Sequence, residues 1–166
     1  LAVVGPAGVG KSTLVQDVLS TAEYPCFVPY YAFLPDGEGN PRDRGEALTF
    51  FQDVVSRLES FFGPRYSLGI ADVAEGREAL RKHMARANAQ YVVHGHKTIL
   101  LIDGLDHVSR EVDLSNSILR ELPDPSEIPQ GFLIVLSSQP QALLPSTIGP
   151  KVAEGVSENS SRRVKV

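Results

Sequence analysis

The sequence predicts an α/β domain in which helices cover both faces of a mostly parallel, five-stranded sheet. Three observations carry that reading. Short apolar runs alternate with longer segments of helical period, the order that builds strand–helix–strand units. Two of the runs, Thr98–Ile102 and Phe132–Leu136, are apolar without a break, as strands covered on both faces must be. The first run, Leu1–Val4, leads straight into a glycine-rich turn and then into an amphipathic segment.

Leu1–Val4 is the first strand and Lys11–Leu19 the helix that follows it. Cys26–Phe33 is aromatic and β-branched and reads as the second strand. Pro29 within it has no N–H to give to a ladder, which places this strand at an edge or at a bulge. Leu34–Gly45, rich in Pro, Gly and charge, predicts an exposed loop. From Leu48 onward apolar residues recur every three or four positions, through Phe51, Val54 or Val55, Leu58, and Phe61 or Phe62. That stripe lays a helix on the sheet, and Gly63-Pro64 stops it. Asp72 and Glu75 have the spacing of a capping box for the next helix, whose buried stripe is Leu80, Met84, Ala87 and Tyr91. Thr98–Ile102 and Phe132–Leu136 are the central strands. Between them Val112–Leu122 predicts a short amphipathic helix, stopped by Pro123 and Pro125. Gln141–Ser161 is polar and loop-like, and Arg162–Val166 has the look of a last strand beginning.

A chain of 166 residues fits one domain with a core of its own. With 42% hydrophobic and 22% charged residues, the composition is that of a globular protein and excludes a disordered one. No apolar run approaches the ~18 residues that a membrane span needs, and no segment has a signal-peptide layout, so a cytoplasmic location is the expectation. A formal net charge of −4 argues against a large electropositive surface for nucleic acid and leaves open binding through another domain. The single cysteine, Cys26, predicts a small buried hydrophobe in a reducing compartment. The chain opens inside a strand without an initiator Met and closes on the start of another. Residues 1–166 are therefore expected to be one domain of a longer, multidomain protein.

Gly5-Pro6-Ala7-Gly8-Val9-Gly10-Lys11-Ser12 fits G-x-x-x-x-G-K-[ST] in full, with Thr13 following. Glycines let the backbone curl until consecutive N–H groups point inward at phosphate oxygens. The helix that starts at the end of the motif turns its unpaired N–H groups and positive dipole end toward the same anion. Lys11 has the reach and charge to bridge the β- and γ-phosphates, and the Ser12 hydroxyl to ligate Mg²⁺. Strand, loop and helix in this order predict the three-layer P-loop NTPase fold and a Mg²⁺–nucleoside triphosphate as ligand.

Such a loop needs a carboxylate on a neighbouring strand to complete the Mg²⁺ shell. Thr98-Ile99-Leu100-Leu101-Ile102-Asp103 supplies one at the strand's C-terminal end, the edge where ligands of open α/β sheets gather. Asp103 is the candidate Mg²⁺ residue. Three residues on, Asp106 is either a third catalytic group beside Lys11 and Asp103, positioning or activating the attacking water, or a surface turn aspartate. His107 is either a partly buried structural histidine or a contact to the γ-phosphate or to a neighbouring subunit.

With these residues in view, the chain resembles the NACHT branch of the STAND class of signal-transduction ATPases, relatives of the AAA+ proteins. The resemblance rests on the residues 5–13 loop and on Ile102-Asp103-Gly104-Leu105-Asp106. It extends more loosely over Phe27–Phe33 with Phe50–Leu58, and over the fourth strand with its polar end and proline, Phe132–Pro140. It implies a sheet ordered 5-1-4-3-2 and an ATPase switch that ADP holds closed and ATP exchange opens. It also implies self-association through C-terminal domains absent from this chain. Two departures bear on turnover. His107 stands where the family has a second acid, and Ser137-Ser138-Gln139-Pro140 where many members have Thr-Ser-Arg-Pro. Gln139 can hydrogen-bond a phosphate or water but brings no cation to the transition state, which predicts slow hydrolysis.

No Asn-Lys-x-Asp base-reading motif accompanies the loop, which favours ATP and ADP over guanine nucleotides. A DNA-handling AAA+ ATPase of the origin-recognition type is the alternative class. Its pattern prefers an acid directly after the Mg²⁺ aspartate, where this chain has Gly104. A nucleotide-binding module without turnover is a further reading, and a small-molecule kinase a weaker one, since Arg77, Arg81 and Arg86 fall on a helix and not on a lid. His94-Gly95-His96 has no acid or Cys at ligand spacing and reads as a solvated helix end.

Overall fold

Side chains alternate along each strand between two apolar faces, and the two faces bury against different helices. A computed structural model of the protein describes residues 1–21, 26–32, 43–63, 69–111, 115–139 and 163–165. Its strands are β1 (Ala2–Val4), β2 (Cys26–Tyr31), β3 (Thr98–Asp103), β4 (Phe132–Ser138) and β5 (Arg163–Lys165). Its helices are α1 (Lys11–Thr21), α2 (Ala47–Phe62), α3 (Val73–His94), α4 (Leu105–Glu111) and α5 (Ile118–Glu121), with short 3-10 turns at Asp43–Gly45 and Pro125–Glu127.

The strand pairings among the described residues of the sheet are parallel. Four strands, β2-β3-β4-β1, form the body of the sheet, and the three residues of β5 join it at the outer side of β1. The order is the 5-1-4-3-2 that the resemblance implies. On one face Val3, Ile99, Leu101 and Val135 meet Val15 and Leu19 of α1. On the other, Val28, Tyr30, Leu100, Ile102 and Ile134 meet Phe50, Val54 and Leu58 of α2 and Leu80, Met84 and Ala87 of α3. Helices thus flank the sheet on both sides, giving three layers.

Local chemistry sets the helix ends. The Asp72 carboxylate accepts the Glu75 N–H at 2.8 Å, and the Glu75 carboxylate accepts the Ala71 N–H at 2.9 Å, one residue before the expected partner. At the far end the Gly95 N–H donates to the Tyr91 carbonyl at 2.8 Å. His94 and His96 are both exposed there, as read from the sequence. Inside α3, Gly76 lets α2 come close: a Cβ added to it would lie 2.5 Å from Phe51 Cβ. Phe50 is fully buried although it lay outside the expected stripe of α2. Phe61 is 49% exposed, and Phe62 takes the packing position instead.

β2 is an edge strand, as Pro29 implied. The Ala32 N–H donates to the Asp103 carbonyl at 2.9 Å, so the even-numbered residues of β2 turn their amides toward β3 and Pro29 faces outward. Its missing donor costs the ladder nothing. Arg44 covers the same outer edge: its Nε donates to the Tyr31 carbonyl at 2.6 Å, while its guanidinium pairs with Asp53 at 3.1 Å and lies over the Tyr30 ring.

Between β3 and β4 the chain departs from expectation. In place of one helix over residues 112–122 there are two, α4 and the single turn of α5, with residues 112–114 outside the described set. Helix α4 forms because Leu105 and Val108, three apart, both bury against the core. The turn-forming composition of Gly104-Leu105-Asp106-His107 had masked that pair. α5 begins at Ser117, whose hydroxyl accepts the Leu119 N–H at 3.2 Å. The loop expected over residues 34–45 is described only at its end, where Asp43–Gly45 is a 3-10 turn with Gly45 buried. Phe33 and residues 141–161 lie outside the described residues. No helix among the described residues is long and apolar enough to cross a membrane.

Candidate functional site

Because the strands run parallel, β1, β3 and β4 deliver the residues that follow them to one edge of the sheet. A cleft of about 330 Å³ opens there. Ala7 and Gly8 line it from the loop after β1, Lys11 and Ser12 from the start of α1, and Asp103, Gly104, Asp106 and His107 from the end of β3 and the start of α4. Ser137 and Gln139 close it from β4. Gly5, Pro6, Val9 and Gly10 of the same loop, and Thr13 in the first turn of α1, do not line the cleft.

Gly8 and Gly10 both take positive φ, 72° and 82°, which curls the loop onto the start of α1. The Lys11 ammonium donates to the Gly5 carbonyl at 2.9 Å and to the Pro6 carbonyl at 2.8 Å, so it sits over the loop's own backbone. The Gly5 N–H donates to the Ser138 carbonyl at 3.4 Å, tying the loop to β4. The Ser12 side chain is exposed beside this turn.

Asp103 is 8% exposed and ends β3, opposite Tyr31 in the register with β2. Asp106 is 3% exposed, in the first turn of α4, which replaces the alternative of a surface turn aspartate. Its Oδ1 accepts the Gln139 N–H at 3.2 Å, and its Oδ2 lies 3.6 Å from His107 Nε2. His107 remains partly exposed within the cleft wall. Gly104 makes the bend between strand and helix with φ of 82°, a conformation that L side chains adopt only under strain.

Ser137 is the residue sequence reasoning passed over. Its hydroxyl is buried in the cleft wall with no hydrogen-bond partner, although Gln139 had drawn the attention at this strand end. The signal was present as a polar residue directly after the apolar run of β4. A buried hydroxyl without a partner costs about 1–3 kcal/mol, so a polar ligand in the cleft would be favoured there.

The donor set fits a Mg²⁺–nucleotide. One ammonium, one exposed hydroxyl at the start of α1, two buried carboxylates and one unmatched hydroxyl meet around a curled backbone turn. Mg²⁺ keeps waters and substrate oxygens and asks the protein for only one or two ligands, as Ser12 and Asp103 would give. Arg77, Arg81 and Arg86 do not line this cleft: Arg77 pairs with Glu121, Arg81 with Glu78, and Arg86 donates to the Phe62 and Gly63 carbonyls.

Residues 1–144 match the family model described as AAA domain. The chain belongs to the AAA domain family. This AAA domain is therefore a P-loop NTPase of AAA+ type, the coarser content of the resemblance drawn from its motifs. Among solved structures it is similar to the Aeropyrum pernix ORC1 protein in complex with DNA. The TM-score is 0.53 and the identity 17%, over 99% of this chain and 38% of that one. It is also similar to the Aeropyrum pernix ORC2 protein in its ADPNP–ADP complexes, with a TM-score of 0.44 and 12% identity, over 99% of this chain and 40% of that one. The AAA domain thus spans about two fifths of the length of these proteins. At 17% identity the likeness to ORC1 is one of fold. No curated protein matches it.

Proposed function

We propose that this AAA domain binds Mg²⁺–ATP in the cleft and hydrolyses it slowly, its nucleotide state acting as a switch on domains outside residues 1–166. The observation that supports this most is the convergence of the residues 5–12 loop, Asp103, Asp106 and Ser137 on one cleft. Lys11 would exchange the neutral carbonyls of Gly5 and Pro6 for charged phosphate oxygens, which form stronger hydrogen bonds. Loop N–H groups and the start of α1 would hold the phosphates, with Gly5, Pro6, Ala7, Gly8, Val9, Gly10 and Thr13 shaping that turn. Ser12 and Asp103 would hold Mg²⁺, which supplies charge neutralisation on the phosphates when bound. Asp106 is the acid on which turnover would depend, and the absence of a cation at Gln139 is consistent with a slow rate.

Gly104 supports the switch reading. With φ of 82° it takes the place where a DNA-handling AAA+ pattern prefers an acid, and the next carboxylate along the chain is Asp106. A cytoplasmic signalling ATPase of NACHT type, self-associating through further domains, follows from that reading. The second reading, an origin-recognition-like ATPase, is favoured by the fold shared with DNA-bound ORC1. With a net charge of −4, any DNA contact in that case would be expected to lie mainly in other domains.

Thermal unfolding with Mg²⁺ and ATP, ADP or GTP, beside Lys11→Ala, tests the proposal. Ligand at 100 times its dissociation constant adds about 2.7 kcal/mol, a clear rise in melting temperature. We expect the rise with ATP and ADP, not with GTP, and its loss in Lys11→Ala. A folded protein that no nucleotide stabilises would overturn the assignment. ATP-dependent, salt-sensitive retention of duplex DNA by residues 1–166 would favour the second reading over the first.

A further inference from the structure

From a cavity at the opposite edge of the sheet we infer a second ligand site, built for a small organic anion with an aromatic body. The inference goes beyond the nucleotide-binding reading and does not depend on it. Cys26 and Thr98 open β2 and β3 at that edge, and α2 and α3 end beside them. A cavity of about 420 Å³ is lined from all four elements, within the usual size of a pocket for a small molecule.

The lining combines aromatic rings with hydrogen-bond donors. Phe61 stands 49% exposed at the end of a helix that buries Phe50, Phe51 and Leu58 fully, and with Phe62 it gives the cavity two rings. The Arg86 guanidinium, the Gln90 amide and the imidazoles of His94 and His96 supply the donors. Arg86 donates to the Phe62 and Gly63 carbonyls and lies over the Phe62 ring, which fixes its charge at the aromatic wall. A guanidinium has five N–H groups, so donors remain for a ligand. Gly95, at φ of 74°, turns the chain at the end of α3, and His94 and His96 line the one cavity from either side of that turn.

Charge decides what this lining accepts. The chain carries 20 acidic against 16 lysine and arginine side chains, yet among the described residues that line the cavity none is acidic. Burial keeps the Cys26 thiol neutral by pushing it up to about 11. Arg86 is therefore the fixed charge of the described lining, and Lys97, outside it, lies over the Tyr91 ring. Histidine is the side chain that ordinarily changes charge between pH 5 and 8, so the two imidazoles bring further donors and positive charge as pH falls. Among the described residues no three histidine, cysteine or acidic side chains stand together as metal ligands. An aryl carboxylate, sulfonate or phosphate satisfies both parts of the lining, its anion on the donors and its ring on Phe61 and Phe62.

Naphthalene-2-sulfonate, an aryl anion of constant charge between pH 6 and pH 8, is the probe, titrated into the 166-residue chain and followed by backbone amide chemical shifts. We expect shifts in residues 61–63 and 86–98 and none in residues 5–14 or 137–139, with the same result in Lys11→Ala. The neutral 2-naphthalenemethanol and the ring-free methanesulfonate should each bind about 10-fold more weakly or less. Binding should be about threefold tighter at pH 6 than at pH 8, and the double variant His94→Gln, His96→Gln should lose that difference. Phe61→Ser should weaken binding about fivefold. Arg86 also holds the end of α2, so these exposed side chains carry the test, with the fold of each variant checked by circular dichroism. The assignment is overturned by shifts absent from the cavity or confined to the nucleotide cleft, or by equal binding of the neutral naphthalene compound. Wild-type affinity in folded Phe61→Ser, or an unchanged pH dependence in the folded histidine variant, overturns it as well. Lys11→Ala removes nucleotide and spares this cavity, so the failure of either reading is seen apart from the other.

Discussion

Cys26 and Thr98 open β2 and β3 side by side, and the pair controls how the thiol ionises. Burial pushes the Cys26 thiol up to about 11, and its hydrogen bond with Thr98 offsets only part of that rise. A thiol that ionises less readily folded than unfolded contributes stability in full below its unfolded value near 9 and loses it as pH rises to about 11. Tyr30, whose buried phenol is pushed up as well, acts in the same direction at higher pH. Urea unfolding at pH 8 and pH 10.5 should therefore show a decline that Cys26→Ala reduces, by on the order of 1–2 kcal/mol. An identical pH dependence in the variant would mean that the thiol does not ionise on unfolding. At this scale, what could be read in advance was residue chemistry. Lys11, Ser12 and Asp103 declared themselves by spacing, because the loop and the strand end are local. Asp106, His107 and Ser137 depended on burial that comes from the packing of α4 and the end of β4, which no short window of sequence contains.

α2 and α3 were legible as elements because their apolar stripes repeat over 16 and 22 residues, long enough for periodicity to outweigh local noise. α4 was not, since seven residues hold barely two turns and begin with turn-forming chemistry. The contact between the two long helices is where a single atom should count most. At Gly76 an added Cβ would meet Phe51 Cβ, Cγ and Cδ2 at 2.5, 2.5 and 2.7 Å, and Phe51 is fully buried with no room to rotate away. Ala ordinarily favours a helix over Gly by up to about 1 kcal/mol. Here overpacking should prevail, and Gly76→Ala should destabilise by about 2 kcal/mol and lower the melting temperature by about 5 °C. A variant that melts at or above the wild-type temperature would show that α2 and α3 separate freely.

Across the whole molecule, the sheet puts its chemistry on one edge and its helix-end glycine and histidines on the other. Nucleotide should act unevenly as a result. Amide exchange with Mg²⁺–ATP is expected to slow by 10-fold or more in residues 5–14, 103–108 and 137–139, and to stay within about twofold in residues 92–98. Uniform slowing would point to global stabilisation without a ligand at the cleft. The parallel, three-layer architecture was legible because β3 and β4 are apolar throughout and β1 runs directly into the loop. The strand order was not, since pairing is decided by contacts far apart in the chain, and it came only with the resemblance.

The outer side of β2 has a meaning beyond the single domain. An edge strand is a template on which another chain can add itself, one hydrogen bond per exposed amide or carbonyl, and a flat apolar edge is a starting point for aggregation. Among the described residues, Pro29 withholds a donor from that side and the Arg44 guanidinium occupies the Tyr31 carbonyl while placing a positive charge beside it. An incoming strand would find a gap in the ladder, then a charge to displace. Pro29 within the strand and Arg44 beside it thus make the outer edge a poor template, and replacing either is expected to make the protein associate at lower concentration.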